Sequence, residues 1–363
     1  MQQKKIYFFI GTIAELFKIA PVIRELEKRN LEFTLIDSGQ NKIPLEYLNG
    51  FIKLKKPHIQ LQEKLNKSSA SNFLFWALKT LFFSLFLFRK EFKGLKKQNT
   101  YFVIQGDTVT SLIGAIIAKF HRLTLVHIES GDLSFNLFEP FPEEICRSIN
   151  IRLADILFPP TDWAKNNLKH LHKPKICTKQ DTIIETFLWG MKQKIDFQKI
   201  KKFKKYYVLI MHRQEHVIFR KNWSKKIMDF VIKNADKDLT CVLLNHKLTV
   251  NLIKSLDLGS RTKKIELISQ LPYPVFLNLI NNAEFIASDS ATQQQETYYM
   301  GKPLLALRDY TEQTEGMGGN VVICKSDEKI MKEFLENYKK YETKPVTLQK
   351  RPAKIIVDYL MEN

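Results

Sequence analysis

Apolar runs of strand length alternate with helical stretches along most of this 363-residue chain. The first block contains the runs KKIYFFIGT, LEFTLIDSG, YFVIQGD and LTLVHIES, with helical stretches such as IAELFKIAPVIRELEKRN. The second block contains YYVLIMH, LTCVLLNH, KKIELISQ, AEFIASDS and KPLLALRD, separated by stretches such as NWSKKIMDFVIKNA. Strands that alternate with helices form right-handed βαβ units and parallel sheets. The sequence therefore predicts an α/β fold of two Rossmann-like lobes with parallel sheets and a ligand cleft between them.

The two blocks also predict where the lobes divide. A charged stretch with a weaker pattern, from 172 to 205, is the expected linker. We expect an N-terminal lobe over 1–175, a C-terminal lobe over 176–340 and a C-terminal tail or helix over 341–363. The chain length suits two domains.

Charge and cysteine content restrict the class of protein. The formal net charge of +19 suits a phosphorylated ligand or an anionic membrane surface. It would also suit nucleic acid, but the sequence has no recognition motif for it, so no nucleic-acid partner is expected. Four scattered cysteines, without C-x-x-C spacing, argue against a metal site or a disulfide framework and favour a cytoplasmic protein. The apolar run near the N-terminus is too short for a signal peptide.

Three carboxylates in the first block are candidates for acid/base chemistry. Asp107 ends the run VIQGD, Glu129 follows the run LTLVHI, and Glu143 opens a helix after the turn FPEE. Ligands of open parallel sheets bind beyond the carboxyl ends of the strands, so acidic groups gathered there suit proton transfer. The alternative is structural, because Asp107 could cap a helix and Glu143 suits any helix N-terminus.

The second block offers a candidate phosphate site. The run AEFIASDS ends where ATQQQETYYMG begins a helix, and a helix N-terminus presents unpaired N–H groups to an anion. Ser290 and Thr292 supply hydroxyl donors there, and Glu296 could accept from ribose hydroxyls. His212 and Arg213 follow the run YYVLIM, where a diphosphate contact is expected. Ordinary helix capping is the alternative explanation.

Seven motifs in order resemble those of the UDP-N-acetylglucosamine 2-epimerases, which share the two-lobed fold of GT-B glycosyltransferases. GTIAELFKIAP is similar to the family's G-T-R-P-E-x-x-K-x-A-P, QGDT to its G-D-T, and HIESG and FPEEICR to its E-A-G and P-E-E-x-x-R. MHRQEH resembles G-H-R-x-E-N, SDSATQQQE resembles D-S-G-G-x-Q-E-E, and LRDYTEQTEG resembles R-x-x-T-E-R-P-E-G. The resemblance runs from Gly11 to about Asn320.

This resemblance implies 2-epimerisation of a UDP-linked N-acetylamino sugar for surface polysaccharide synthesis. A base removes the proton at C2 while UDP leaves C1, and UDP is then re-added or released. Asp107, Glu129 and Glu143 would be the acid/base groups, and His212 would stabilise the leaving group. The residues that would hold phosphate, sugar or nucleotide are Lys18, Arg147, Arg213, His246, Ser290, Thr292, Glu296 and Arg308. The UDP-sugar is the substrate, and neither a metal nor another cofactor is implied.

The chain departs from the family pattern at charged positions. Three residues stand where the family has arginine: Ile13, Leu133 and Gln313. Ala291 and Thr292 replace a Gly-Gly pair, and Gln295 replaces a glutamate. A charge-assisted hydrogen bond contributes about 1.5–3 kcal/mol, so three lost arginines would weaken the binding of an anionic substrate. Because the carboxylates and His212 are retained, the departures indicate an altered substrate or outcome.

One segment lies outside the family pattern. Residues Phe73–Phe88 read FLFWALKTLFFSLFLF, and the basic stretch RKEFKGLKK follows. The segment is too short and too charged, with Lys79, for a confident membrane-spanning helix. It could be a core helix, a homodimer interface, or an interfacial helix that places 73–97 on the anionic inner face of a membrane. The last interpretation keeps open a membrane-associated GT-B glycosyltransferase with a lipid-linked acceptor.

Overall fold

The computed structural model describes residues 4–62, 70–137, 139–195, 203–213, 216, 220–244, 247–256 and 258–362. The chain forms two compact units. The N-terminal unit comprises Met1–Trp189 and Leu348–Asn363, and the C-terminal unit comprises Gly190–Thr347. The division at Trp189 falls inside the predicted linker, later than the predicted lobe end at residue 175. The last residues of the chain belong with the N-terminal unit instead of forming a separate tail.

The N-terminal unit is a doubly wound parallel sheet. Its strands are β1 (Lys5–Ile10), β2 (Thr34–Asp37), β3 (Ile59–Gln60), β4 (Thr100–Gln105), β5 (Thr124–Ile128) and β6 (Ile156–Phe158). Its helices, apart from one at the end of the chain, are α1 (Ile13–Lys28), α2 (Ala70–Glu91), α3 (Val109–Phe120), α4 (Glu143–Leu153), α5 (Asp162–Asn167) and α6 (Ile183–Met191), whose last two residues fall in the C-terminal unit. The strand order is β3-β2-β1-β4-β5-β6. The order therefore reverses between β1 and β4, which is where open α/β sheets bind ligands.

The C-terminal unit repeats this topology. Its strands are β7 (Tyr206–Ile210), β8 (Thr240–Leu244), β9 (Ile265–Ile268), β10 (Ile286–Ser288), β11 (Leu304–Ala306) and β12 (Val321–Ile323). Its helices are α7 (Lys221–Asn234), α8 (Lys247–Lys254), α9 (Tyr273–Asn281), α10 (Ala291–Met300) and α11 (Glu328–Asn337). The strand order is β12-β11-β10-β7-β8-β9, so this sheet reverses between β7 and β10. Two Rossmann-like units with parallel sheets confirm the predicted fold class.

The C-terminal helix α12 (Pro352–Glu362) packs against α1. Arg351, just before the helix, donates hydrogen bonds to Glu25 of α1 at 2.8 Å and to Glu185 of α6 at 3.1 Å. The other oxygen of Glu185 accepts the backbone N–H of Ala353 at 2.9 Å. This N–H lies in the first turn of α12, so a carboxylate from α6 caps the helix and fixes it to the unit.

Helix α2 is longer than the apolar segment and buries only one of its sides. Trp76, Thr80, Ser84 and Phe88 are buried on the side that packs near α3. The other side, here called the α2 face, has large apolar residues that are 43–68% exposed: Leu74, Phe75, Leu78, Phe82, Phe83, Phe86 and Leu87. The prediction that this segment is a core helix is therefore correct for one side of α2 and wrong for the other. Among the described residues, α2 is the one helix whose length and composition would allow it to cross a membrane.

Candidate active site

Where the N-terminal sheet reverses, a buried carboxylate joins the loops that follow β1 and β4. Glu15 accepts the backbone N–H groups of Gly11 and Thr12, each at 2.8 Å, and its other oxygen accepts the hydroxyl of Thr108 at 2.6 Å. A Cβ on Gly11 would lie 2.2 Å from the hydroxyl oxygen of Ser38, so the close approach of these loops requires glycine. Burial raises the pKa of Glu15 to about 7, against the hydrogen bonds that favour its ionised form.

Lys18 lies one turn further along α1 and contacts two buried carboxylates. Its ammonium donates a hydrogen bond to Glu129, directly after β5, and lies 3.4 Å from Oδ2 of Asp181. Gln105, the last residue of β4, donates its amide to the other oxygen of Glu129. Burial raises the pKa of Glu129 to about 8; Lys18 opposes this shift and the charge of Asp181 adds to it. The structure thus places Lys18 on protein carboxylates, whereas the sequence predicted a phosphate or sugar contact.

Arg147 on α4 bridges two further carboxylates. Its guanidinium donates to Asp107, in the loop after β4, and to Glu144 on its own helix. The arginine side chain is 3% exposed, while that of Asp107 is 24% exposed. Glu144 also accepts the backbone N–H of Ser134 at 3.2 Å. Arg147 therefore fixes Asp107 at the edge of the solvent, in addition to any contact with a substrate.

Glu143 is the first residue of α4, at the positive end of the helix dipole and one turn before Arg147. Burial raises the pKa of Cys146 to about 12, and the charges of both Asp107 and Glu143 add to this shift. The charge of Asp107 also raises the pKa of Glu129. Asp107 thus acts electrostatically on Glu129, and Asp107 and Glu143 both act on Cys146.

The C-terminal sheet reverses at Asp289, directly after β10. This buried carboxylate accepts the backbone N–H groups of His212 and Arg213 at 2.9–3.2 Å, and lies 3.1 Å from Nδ1 of His216. Burial raises the pKa of Asp289, but His216, His212 and the backbone donors outweigh burial and hold the pKa well below its usual value. The imidazole of His212 is 44% exposed, with Nδ1 3.5 Å from Asp289. Asp289 thus fixes the loop that presents His212 to solvent.

Helix α10 begins directly after this carboxylate. Ser290 is its N-cap residue, and the serine side chain makes no capping hydrogen bond, so it does not occupy the helix N-terminus. Thr292 lies in the first turn. Glu296 is fully buried, one and a half turns into the helix, and burial together with the charge of Glu296 raises the pKa of the buried Tyr273 well above the usual value. Glu296 therefore lies in the protein interior near Tyr273, and its predicted contact with ribose hydroxyls stays a prediction.

Two of the predicted nucleotide-binding arginines share one carboxylate. Arg308 donates to Oε2 of Glu312 at 3.3 Å and to Oε1 of Gln294 at 2.5 Å. Arg213 donates to Oε1 of Glu312 at 3.2 Å. Arg308 is 1% exposed, so in this structure it organises the loop after β11 and is not open to solvent.

Two of the positions that lack the family arginine have protein partners. Gln313 accepts a hydrogen bond from Gln295 at 3.1 Å, and both side chains are buried. The family pattern has glutamate where this chain has Gln295 and arginine where it has Gln313. An acid and a base have therefore been replaced by two amides that hydrogen-bond to each other. Leu133 packs against the hydrophobic core of the N-terminal unit. Gln313 and Leu133 therefore fill positions within the protein.

Several groups in these clusters were not predicted as site residues: Gln105, Glu144, Asp181, His216 and Asp289. Asp181 precedes the apolar run IIETFLW, and an aspartate there is a recognisable N-cap signal. His246 lies outside the described residues. Among the described residues, no group of three or more His, Cys, Asp and Glu side chains could hold a metal ion. The absence of a cofactor remains a prediction.

Two doubly wound parallel sheets, with a carboxylate cluster at one reversal point and an uncapped helix N-terminus at the other, are characteristic of an α/β enzyme with a GT-B-like fold. A sequence profile of UDP-N-acetylglucosamine 2-epimerases matches residues 24–353. The chain belongs to the UDP-N-acetylglucosamine 2-epimerase family. This confirms the predicted family and the isomerase class, and supports the epimerase over the glycosyltransferase alternative.

Relatives of this family match along nearly the whole chain. The UDP-N-acetylglucosamine 2-epimerase of Methanocaldococcus jannaschii is 29% identical, over 97% of this chain and 98% of the relative. That of Neisseria meningitidis is 27% identical, over 99% of this chain and 100% of the relative. The structure of the M. jannaschii enzyme in complex with UDP-GlcNAc and UDP superposes with a TM-score of 0.82 at 26% identity, covering 99% of this chain and 100% of that one.

Proposed function

We propose that this protein catalyses the 2-epimerisation of UDP-N-acetylglucosamine, giving UDP-N-acetylmannosamine or, if UDP is released, free N-acetylmannosamine. The observation that carries this proposal is the buried pairing of Glu129 with Lys18, supported by the charge of Asp107, which acts on the same carboxylate. The family membership supplies the reaction class, and the M. jannaschii and N. meningitidis relatives are described as bound to UDP-GlcNAc.

The chemistry requires two proton-transfer groups. A base takes the proton at C2, the C–H electron pair forms a C1–C2 double bond, and the C1–O bond breaks to release UDP. A second group then delivers a proton to the opposite face of C2, while an oxygen of UDP, or of water where UDP has been released, forms the new bond at C1. Glu129 suits proton delivery because burial raises its pKa to about 8, which keeps it protonated at neutral pH. The more exposed Asp107, or Glu143 at the start of α4, would be the base.

In this proposal the C-terminal unit binds the nucleotide. The diphosphate would lie at the N-terminus of α10, near Ser290 and Thr292, because backbone N–H groups and the helix dipole stabilise an anion there. His212, fixed through Asp289, would stabilise the charge that develops on UDP as it leaves. Arg213 would add a second positive charge at the same loop.

Product analysis tests the proposal and separates its two outcomes. We expect proton NMR of a reaction with UDP-N-acetylglucosamine to show a new anomeric signal of the manno configuration. If UDP is re-added, this signal retains coupling to phosphorus; if UDP is released, free sugar and UDP appear together. An unchanged substrate, with a folded enzyme that binds UDP in calorimetry, would refute the assigned reaction.

The α2 face requires a partner, and we propose a second copy of this chain. Seven large apolar side chains at 43–68% exposure are unusual on a monomer surface. The substrate and product of the proposed reaction are both water-soluble, so the reaction gives no reason for lipid contact. Basic residues gather at one end of α2, where Arg89 lies 5.1 Å from the ring of Phe86. Antiparallel pairing about a two-fold axis would place the two basic ends apart and the apolar residues together.

Sedimentation velocity tests this interface. We expect the wild type to be a dimer at micromolar concentration and the Phe82→Glu/Phe86→Glu variant to be a monomer with an unchanged circular dichroism spectrum, since each glutamate would be desolvated in the interface. Leu267→Glu, at an exposed apolar residue of β9, should remain dimeric. A monomeric wild type would contradict the proposal. Salt-sensitive flotation of that monomer with anionic vesicles would assign the face to a bilayer.

A single cytoplasmic location fits this proposal. Cys146, Cys177, Cys241 and Cys324 are all free thiols, and three of them are buried. Free thiols are typical of a reducing compartment.

A further inference from the structure

His127 is a polar residue within a buried strand. It belongs to β5, which reads TLVHI, and its imidazole is fully buried. Nε2 lies 2.7 Å from the backbone carbonyl oxygen of Gly106, directly after the neighbouring strand β4. A carbonyl oxygen only accepts hydrogen bonds, so Nε2 carries the hydrogen and donates it. Because Gly106 immediately precedes Asp107, this bond links the buried strand to the candidate active site.

The other ring nitrogen of His127 indicates that the imidazole is neutral. Among the described residues, none makes a hydrogen bond to Nδ1, which is also buried. A charged imidazolium would place an N–H without an acceptor there, which is costly in a buried position. Burial lowers the pKa of His127 to about 4, although the hydrogen bond to Gly106 and the charge of Asp107 oppose this shift. His127 is therefore a neutral donor at physiological pH.

The carbonyl of Gly106 requires a side-chain donor because the ladder between β4 and β5 ends beside it. The N–H of Gly106 still donates to a carbonyl of β5, at 3.0 Å. In a regular parallel ladder, the next bond would run from the N–H of Ser130 to the Gly106 carbonyl. Glu129 has a left-handed backbone, with a φ of 61°, and the N–H of Ser130 instead donates to Phe158 at 3.3 Å. The turn at Glu129 thus removes the ladder partner of this carbonyl, and His127 supplies a donor in its place.

We propose that His127 is a positioning residue for Asp107, because it fixes the peptide group that precedes this carboxylate. Gly106 has a φ of 64°, in the left-handed region that glycine enters freely, so contacts from outside the turn must hold its orientation. His127 holds the carbonyl of Gly106, and Arg147 of α4 donates to the carboxylate of Asp107. Asn150 of α4 lies 3.5 Å from the same carbonyl but donates at 2.8 Å to a hydroxyl of α3, so His127 makes the shorter bond. The catalytic consequence rests on the proposed function, in which Asp107 takes part in proton transfer, but the hydrogen bond does not.

Two variants separate the hydrogen bond of His127 from the packing of its ring. His127→Phe keeps a planar ring without a donor, whereas His127→Gln loses the ring and presents an amide N–H. We expect kcat per folded molecule to fall by about 10–10²-fold in His127→Phe and to rise again in His127→Gln. The affinity for UDP should stay unchanged in both, because the proposed nucleotide site lies in the C-terminal unit. The control is His170→Phe, at an exposed histidine of the N-terminal unit, which should keep wild-type turnover.

The Asp107→Asn background shows whether His127 acts through Asp107. Once the carboxylate is absent its position no longer matters, so adding His127→Phe should lower kcat by less than about twofold. An equal loss in both backgrounds would mean that His127 acts elsewhere, and would overturn the proposal. A folded His127→Phe enzyme with wild-type kcat would overturn it as well.

Nitrogen NMR of protein labelled with ¹⁵N-histidine tests the hydrogen bond without turnover, and needs no folded His127→Phe variant. The His127 signals, assigned by their loss in His127→Gln, should show a hydrogen on Nε2 and none on Nδ1, with no titration between about pH 5.5 and pH 8.5. A hydrogen on Nδ1, or titration near the usual pKa of about 6.5, would overturn the proposal. If the wild type gives the expected signals but no 2-epimerisation, the assigned reaction is wrong and the placement of Asp107 by His127 is supported.

Discussion

Replacing Glu129 by glutamine is expected to lower kcat by about 10²–10⁴-fold while leaving the protein folded. Glutamine has nearly the same shape as glutamate but cannot deliver a proton. Lys18 would still pair with Asp181, so the substitution does not leave a buried ammonium without an anion. The melting temperature should therefore stay close to that of the wild type, and the loss should appear in turnover more than in UDP affinity.

The pH profile identifies the protonation state that Glu129 uses. Burial raises the pKa of Glu129 to about 8, so the protonated form predominates at neutral pH and is lost as the pH rises through about 8. Wild-type kcat/KM should fall over that interval, because the donor loses its proton. In Glu129→Gln the residual activity should show no such decrease.

A matched control is Glu32→Gln, which removes an exposed glutamate from the same unit. We expect it to retain wild-type turnover. If Glu129→Gln also kept turnover within about tenfold of the wild type, the assignment of Glu129 as proton donor would be wrong. In that case Asp107→Asn and Glu143→Gln would show which carboxylates carry the reaction.

The second large effect concerns stability. Arg147→Met is expected to lower the free energy of unfolding by about 3–5 kcal/mol, because it leaves Asp107 and Glu144 without their shared cation. The arginine is 3% exposed, and Glu144 is equally buried. Solvent screening is therefore weak at this ion pair, and the uncompensated charge of Glu144 accounts for most of the expected loss.

Urea unfolding measures this loss directly. Arg152→Met on the same helix removes an exposed arginine and should change stability by less than about 0.5 kcal/mol. Adding Glu144→Gln to Arg147→Met should recover part of the loss, because the stranded carboxylate is then neutral. A loss of less than about 1 kcal/mol for Arg147→Met would show that the ion pairs contribute little to folding.

The positions of Asp107 and Glu129 could be predicted because the alternation of strand-length and helical segments shows where each strand ends. Each comes at the end of an apolar run of strand length, and parallel strands direct their carboxyl ends to the same edge of the sheet. The reversal of strand order between β1 and β4 then brings the following loops together. The fold and the gathering of these carboxylates were thus accessible from sequence.

Asp181 and His216 were not accessible in this way. Asp181 lies in the stretch predicted to be a linker, where no periodicity indicates an element, and its contact with Lys18 depends on tertiary packing. His216 ends the motif MHRQEH, but its contact with Asp289 joins segments far apart in the chain. Pairings of this kind are set by the three-dimensional arrangement of strand ends.

The positions that lack the family arginine show a second limit of prediction from sequence. The lost arginines were expected to weaken the binding of an anionic substrate, on the assumption that each of the three positions faces it. Gln313 instead pairs with Gln295, and Leu133 packs on the core. Considered alone, Gln313 appears to be the loss of a substrate-binding arginine. Considered together with Gln295, it is one half of a hydrogen-bonded pair of amides within the protein.

The segment Phe73–Phe88 was apolar on nearly all sides of its helix, so periodicity could not show which side is buried. The structure assigns Trp76 and Phe88 to the core and leaves the α2 face exposed. The small buried side chains of Thr80 and Ser84, one turn apart, permit α2 to approach the rest of the N-terminal unit closely. That spacing is the signal by which the buried side could have been identified.

Proton exchange at C2 tests the central claim most directly. The enzyme would be incubated with UDP-N-acetylglucosamine in deuterium oxide, and the recovered sugars analysed by NMR and mass spectrometry. We predict deuterium at C2 of the product, incorporated by the wild type and lost in Glu129→Gln together with turnover. Release of UDP with only protium at C2 of the sugar would show that the C1–O bond breaks without proton abstraction, and would contradict the epimerase mechanism proposed for this chain.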